Sequence, residues 1–325
     1  MIVVTGAGGF IGSRLVEYLN KQEHEDIIVV DDFNIIKKKQ ILKQFEFLLY
    51  VDRENFINFL DSNVKKIDII YHLGAKTDTI EPDKEIFNKL NLEYSKDIYN
   101  ICADYGIPLI YASSAATYGR GEFGYEDDEE AIKHLKPLNA YGESKQEFDI
   151  WLLEEQKTRR PPFVIGLKFF NVYGYGEYNK GRMASVVYHA MNQIMETNKM
   201  NLFKSHNPDY KDGEQMRDFI YVDDVVKICY EFMTKGYGNS GIYNVGTGKA
   251  RTFLSLAKGV FKALDIKENI EFIDTPKDLR ENYQYYTQAT TNKLEEIGID
   301  IDFIGLEDGI NQYLDTILFY EYVNM

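Results

Sequence analysis

The sequence predicts an α/β fold: a doubly wound parallel sheet with helices on both faces, and a smaller C-terminal region interleaved with it. Three observations predict it. Short apolar runs alternate with longer helical stretches over roughly the first half of the 325-residue chain. A glycine-rich turn directly follows the first apolar run. Beyond residue 170 the texture changes, with Tyr, Asn and Gly frequent and apolar runs sparse.

The runs IVVT (2–5), IIVV (27–30), IDIIY (67–71), PLIYAS (108–113) and FVIGLKFF (163–170) are rich in Val and Ile and bounded by polar or helical segments. They read as buried strands. Helical stretches such as 83–104 lie between them, the order that gives a parallel sheet covered on both faces. DFIYV (218–222) and GIYNVGTG (241–248) each precede a further helix. The division expected is 1–170 as the nucleotide-binding domain, with 218–245 returning to it. Residues 171–217 and 246–325 then form the substrate domain.

Composition narrows the function. Hydrophobic residues make up 44% of the chain, ample for a core, and the net charge is −15. Such a charge opposes binding to nucleic acid or anionic membrane, so an anionic substrate would need a local basic pocket. Cys102 and Cys229 sit in apolar segments and read as buried structural residues of a reducing compartment. No CxxC or HExxH spacing is present, so no metal is expected. The opening MIVVTGAGGF enters a strand at once, and no apolar run approaches membrane-spanning length. A cytoplasmic protein is expected. The acidic run EDDEE (126–130) reads as a solvated loop.

TGAGGFIG spaces Gly6, Gly9 and Gly12 between a strand and a helix. Glycine lets the chain bend sharply and lets backbone approach a pyrophosphate, and the helix N-terminus offers free N–H groups. With that flanking context, the turn marks a Rossmann-type dinucleotide site. The second strand ends in IIVVDDF, where Asp31 or Asp32 could hold a ribose hydroxyl and favour NAD. Lys37, Lys38, Lys39 and Arg53 follow and could neutralise a 2′-phosphate, favouring NADP. The residues alone leave both cofactors open.

YASSAATYG (111–119) ends the fourth strand run, and ligands of doubly wound sheets gather at such ends. Ser113, Ser114 and Thr117 are therefore expected to face the cleft. NAYGESKQEF (139–148) places Tyr141 and Lys145 four apart on one helix face. Hydride can leave a carbinol carbon only if the hydroxyl proton also leaves. A free phenol, with a pKa near ~10, is too weak a base for this at neutral pH. An adjacent ammonium favours the phenolate, and a serine hydroxyl can hold the sugar oxygen in line. The order and combination of these parts point to redox chemistry beside a nicotinamide cofactor.

TGAGGFIG, YASSAATYG, YGESK, KFFNVYG, KGRMASV, RDFIYVDDV, YNVGTG and YQYYTQA together carry a resemblance. The chain resembles the extended short-chain dehydrogenase/reductase superfamily and, within it, the ADP-L-glycero-D-manno-heptose 6-epimerase family. The first three motifs identify the superfamily, and the later ones the narrower family. The resemblance implies oxidation of the heptose at C-6 to a ketone by bound NADP, and return of the hydride to the other face. It implies that Ser114 orients the substrate, Tyr141 is one acid/base, and Lys145 tunes it and binds the nicotinamide ribose.

Inverting a secondary alcohol turns its hydroxyl to the opposite side, so one fixed proton donor serves both orientations poorly. A second acid/base is expected across the pocket. The resemblance assigns it to Lys180 in NVYGYGEYNKGRMAS. It further implies substrate contacts from Asn171, Arg182, His189, Phe203, Arg217 and Tyr283, the arginine fork suiting a diphosphate. On the cofactor side, Phe10, Ile11, Lys38, Arg53, Leu73, Gly74, Ala75, Asn91 and Val172 match contact positions. A homo-oligomer, often a pentamer, is implied, as is supply of heptose to the lipopolysaccharide core. The chain departs from the pattern where Ala7 and Gly8 exchange places and where Arg182 replaces a small serine, bringing bulk and charge toward the substrate. The 207–215 loop is also longer. Dehydratases of the superfamily carry Asp-Glu after the strand-end serine or threonine, where this chain has Ala115-Ala116. Non-catalytic relatives commonly lose the Tyr or Lys that this chain retains.

Overall fold

The computed structural model describes residues 1–280 and 283–323. Six strands come first: β1 (Ile2–Thr5), β2 (Ile27–Asp31), β3 (Leu49–Asp52), β4 (Ile69–His72), β5 (Leu109–Ser114) and β6 (Val164–Phe169). Next come β7 (Asn171–Tyr173), β8 (Met200–Phe203), β9 (Met216–Tyr221), β10 (Gly241–Val245), β11 (Ala250–Thr252) and β12 (Ile270–Ile273). Seven of them form one parallel sheet in the order β10-β6-β5-β4-β1-β2-β3. The order reverses between β1 and β4, so the loops leaving these two strands diverge and open a crevice at their carboxyl ends.

Strand alternation builds two cores. Ile2 and Val4 face a layer made by the helices Phe10–Lys21 and Val222–Lys235, which contribute Leu15, Leu19, Ile228 and Phe232. Val3 faces the opposite layer, where Phe56, Ile98, Tyr99 and Phe148 pack. Strands buried on both sides need apolar residues at every position, which is why these segments read as unbroken runs. Cys102 and Cys229 are both buried and free, one in each layer. No helix among the described residues is long and apolar enough to cross a membrane.

The expected elements form with their ends shifted by a residue or two. The helical stretch 83–104 runs from Lys84 to Tyr105, with one widened turn at Asn88–Glu93. The return to the large sheet differs from expectation. β9 pairs with β7 and β11 in a separate three-stranded sheet, so residues 218–221 join the large sheet by packing and not by strand pairing: Ile220 enters its core, while Phe219 and Tyr221 face the smaller region. The Val222–Lys235 helix covers the large sheet and β10 extends it as an edge strand. Residues 294–303, expected in the smaller region, send Leu294, Ile299 and Phe303 into the core of the large sheet. Periodicity identifies these elements but cannot reveal their partners. The remaining smaller region buries Leu256, Phe261, Ile310 and Tyr313 around β8 and β9.

EDDEE is not a freely solvated loop. Asp127 accepts the backbone N–H of Asn244 at 2.8 Å, and Glu129 accepts that of Ile242 at 3.0 Å while pairing with Lys293 at 3.1 Å. β10 is an edge strand with unpaired N–H groups, and these carboxylates satisfy them.

His72 ties the crevice walls together. Its Nδ1 lies 2.8 Å from the Thr5 hydroxyl and its Nε2 2.8 Å from the Ser95 hydroxyl. Ser95 donates onward to the Asn91 carbonyl at 2.6 Å, so Nε2 carries the proton and Nδ1 accepts from Thr5. Burial, reinforced by the Lys145 charge, lowers the His72 pKa to about 3. The folded chain therefore refuses a proton that the unfolded chain takes up below about 6.5. The stability this group contributes is complete above that value and is lost as pH falls toward 3. Denaturant melts at pH 7 and pH 5 should show about 2 kcal/mol more loss in the wild type than in His72→Asn. Equal losses would show that His72 protonates as readily in the fold as out of it.

Candidate active site

The crevice is lined first by the turn after β1. Gly6 has φ +69°, and a Cβ there would lie 2.6 Å from the Gly74 backbone. A Cβ on Gly12 would lie 2.2 Å from the Gly6 carbonyl oxygen. The spaced glycines thus let β1, its helix and the β4 loop come into contact. The exchanged pair is accommodated as well: Ala7 is fully buried in the core, and Gly8 leaves room for the Lys38 side chain. The Phe10–Lys21 helix starts at Gly9 with no side-chain cap. Its first-turn N–H groups are the donors a helix start leaves for an anion.

These residues wall a cavity of about 460 Å³. Gly6, Gly9, Phe10, Ile11 and Gly12 line it with Leu73, Gly74, Ala75 and Val172. Asp31, Lys38 and Arg53 line its β2 side. Asp31 accepts the Gly8 N–H at 2.9 Å and an ion pair from Lys38, so its carboxylate braces the turn. Asp32 lies off the lining and pairs with Arg53 at 3.4 Å. Asn91, expected as a cofactor contact, stands behind the wall. It accepts the Lys76 N–H at 2.8 Å and donates to the Lys76 carbonyl and to Ser144. It therefore shapes the loop beyond Ala75. Met183, within KGRMASV, also lines the cavity, as do Thr77, Thr79 and Tyr94, which no motif in the sequence marks.

Ser114, Tyr141, Lys145 and Lys180 line the same cavity. Asn139 caps the Ala140–Glu155 helix by accepting the Gly142 N–H at 2.8 Å, which fixes Tyr141 in its first turn. The Ser114 hydroxyl hydrogen-bonds the Tyr141 phenol and pulls its pKa down against the larger upward push of burial. Lys145 donates to the Ala112 carbonyl at 2.8 Å, and burial lowers its pKa to about 8. Ser113 and Thr117 do not present free hydroxyls to the cleft. Ser113 donates to Asp149 at 2.8 Å and Thr117 to the Ser114 carbonyl at 2.9 Å. Side chains alternate along a strand, so only one of two adjacent serines can serve the site.

Lys180 comes from the Glu177–Met183 segment, and its Nζ sits 5.4 Å from the Phe10 ring centroid. Burial lowers its pKa, with nearby Glu177 opposing. Two groups able to exchange protons therefore enter one cavity from different elements.

A second cavity of about 460 Å³ is lined by His189, Phe203, Arg217 and Tyr283, joined by Val186 and Phe253. The buried Arg217 guanidinium lies 5.5 Å from the Phe253 ring and 5.7 Å from the Tyr283 ring, and it donates to the Met216 and Gln284 carbonyls. Residues 180–189 connect the two cavities, Lys180 and Met183 lining the first and Val186 and His189 the second. Asn171 is exposed at the start of β7 and lines neither. Arg182 also lines neither. It reaches away to pair with Asp78 at 2.8 Å, so its bulk does not enter either cavity.

The family model described as NAD dependent epimerase/dehydratase matches residues 2–246. The chain is 44% identical to the ADP-L-glycero-D-manno-heptose-6-epimerase of Fusobacterium nucleatum, covering 98% of both chains. It is 44% identical to that of Nitratidesulfovibrio vulgaris, covering 97% of both. The solved structure of the Helicobacter pylori ADP-L-glycero-D-manno-heptose-6-epimerase matches with a TM-score of 0.81 at 27% identity, over 98% of this chain and 96% of that one. The chain belongs to the NAD dependent epimerase/dehydratase family and, within it, to the ADP-L-glycero-D-manno-heptose-6-epimerases.

Proposed function

We propose that this enzyme inverts C-6 of ADP-D-glycero-D-manno-heptose to give ADP-L-glycero-D-manno-heptose, with NADP as its resident cofactor. The observation that carries the reading is the entry of Tyr141 and Lys180 into one cavity from different elements. The glycine cradle, with its uncapped helix start, fits a dinucleotide pyrophosphate. Lys38 and Arg53 on the β2 side supply cations for a 2′-phosphate. The bound nicotinamide would supply hydride removal at C-6 and its return to the opposite face.

The side chains handle the proton. Tyr141 Oη exchanges a proton with the C-6 oxygen in one orientation, with the Ser114 hydroxyl steadying the phenolate. The Lys145 ammonium favours that phenolate as long as it keeps its own charge. Lys180 Nζ exchanges a proton with the same oxygen once the hydroxyl points the other way. Its lowered pKa brings the amine closer to neutral pH, where it can both give and take. Arg217, His189, Phe203 and Tyr283 provide a cationic and aromatic seat for the ADP moiety. The reading extends to a cytoplasmic homopentamer supplying heptose for lipopolysaccharide.

Incubating the purified protein with ADP-D-glycero-D-manno-heptose and following C-6 by NMR tests the reaction. Unchanged heptose alongside turnover of a nucleotide hexose would overturn the substrate assignment. Tyr141→Phe and Lys180→Met should each lower kcat by roughly 10²–10⁴-fold while leaving residual epimerisation, and the double variant should have none. Full turnover in Lys180→Met would remove the two-base mechanism. Calorimetric titration of cofactor-stripped protein should show tighter binding of NADP than of NAD. Arg53→Ala should weaken NADP by roughly tenfold and leave NAD nearly unchanged. Equal weakening of both would remove Arg53 from 2′-phosphate recognition.

A further inference from the structure

Behind the reactive end lies an ion pair that the proton chemistry does not use. Asp149 and Lys168 meet at 2.7 Å, and both side chains are wholly buried. Asp149 lies one helical turn beyond Lys145 on the Ala140–Glu155 helix, and Lys168 lies on β6. The Tyr111 and Ser113 hydroxyls, from β5, each donate to Asp149 at 2.8 Å. Lys168 donates to the Thr117 hydroxyl at 2.9 Å, and Thr117 donates in turn to the Ser114 carbonyl. The pair thus bonds to residues on either side of Ser114 and to the helix that carries Tyr141 and Lys145. A buried charge pair is costly to desolvate, and this one joins four elements, the Ala140–Glu155 helix, β6, β5 and the Ala115–Tyr118 turn, which exceeds what filling a core requires.

We propose that the Asp149–Lys168 pair is the positioning element of the reactive end, holding the strand end of Ser114 against the Tyr141–Lys145 helix and setting the charge that Lys145 experiences. The groups around it define the balance. Tyr141 and Asp149 share the helix with Lys145, and His72 approaches Lys145 from β4. Tyr111 faces Asp149 from β5. The Tyr118 ring lies 5.3 Å from Lys168, and Asp127 interacts electrostatically with both Tyr118 and Lys168. Asp149 favours the protonated form of Lys145 against burial. Removing its charge leaves the Lys168 cation unbalanced nearby, whereas removing Lys168 leaves the carboxylate unopposed.

The kinetic part of the test rests on the epimerase reading; the titration part does not. In protein labelled with ¹³C at lysine Cε, the Lys145 resonance is identified by its loss in Lys145→Arg and followed against pH. Its wild-type midpoint should lie at about 8, where burial places it. Asp149→Asn should lower that midpoint, raising acidity roughly tenfold. Lys168→Met should raise it, and the double variant should return it close to wild type. With the heptose substrate, the double variant should lose about tenfold or more in kcat at nearly constant KM, because the anchor is gone. Midpoints that stay fixed or move in the same direction in both single variants would overturn the proposal. If neither single variant folds, the double variant decides, since buried pairs are commonly replaceable by neutral residues. A double variant with wild-type kcat would reduce the pair to ordinary core. A wild type that turns over no nucleotide sugar would defeat the functional reading, and the titration would still decide this one.

Discussion

The approach of Gly6 to Gly74 is the constraint on which the rest of the site depends. A single methyl at Gly6 would overlap backbone of the β4 loop. That contact exists because β1 and β4 are neighbours at the point where strand order reverses. It is reinforced by Thr5, whose hydroxyl accepts the Gly74 N–H at 3.2 Å and bonds His72. His72 continues through Ser95 to the carbonyl of Asn91, and Asn91 continues to Lys76 and Ser144. One polar chain therefore fixes the glycine turn, the β4 loop and the catalytic helix relative to one another. With its members buried and bonded, the chain resists rearrangement, because breaking any link leaves an unpaired polar group inside.

Charge is arranged in the same spirit. The chain carries −15 overall, yet its two cavities are lined by Lys38, Arg53, Lys145, Lys180 and Arg217. A diphosphate entering these cavities meets cations inside them despite the acidic balance of the chain. Asp31, Asp32, Glu177 and Asp149 stand beside them, in contact with Lys38 and Arg53 or close to Lys180 and Lys145. The effect is to hold each cation in place and to moderate the cost of its burial.

The sequence made the dinucleotide half of the site legible because its chemistry is local. The glycine turn needs three residues at fixed spacing beside a strand and a helix, and Tyr141 with Lys145 needs only one helical turn. What could not be read depended on distant partners. Asp127 and Glu129 look like solvated charges until β10 is known to be an edge strand with N–H groups to satisfy. β9 has the pattern of a sheet strand, but nothing in it says which sheet. The ion pair of Arg182 with Asp78, on a loop more than a hundred residues earlier, has no local mark in the sequence. One further signal is local. A lysine inside the apolar run FVIGLKFF must find a buried counter-charge, and Asp149, four residues after Lys145, is that partner.

The second acid/base role proposed for Lys180 asks a loop lysine to hold a fixed place. Its segment is closed by the buried Glu177 carboxylate, which accepts the Gly174 N–H at 3.1 Å and binds both the N–H and the hydroxyl of Ser185. Residues 174 and 185 are thereby drawn to one carboxylate, and the chain between them is clamped at both ends. Burial raises the Glu177 pKa, but these donors and the Lys180 charge oppose that rise and favour the carboxylate. The same carboxylate pulls the Lys180 pKa upward while burial pulls it down. A lysine desolvated without Glu177 would rest further toward the neutral amine and would seldom hold a proton to donate. A lysine in open solvent would be locked as the ammonium. A group that must donate in one direction of an epimerisation and accept in the other needs to sit between those limits, and the clamp supplies both the position and the balance.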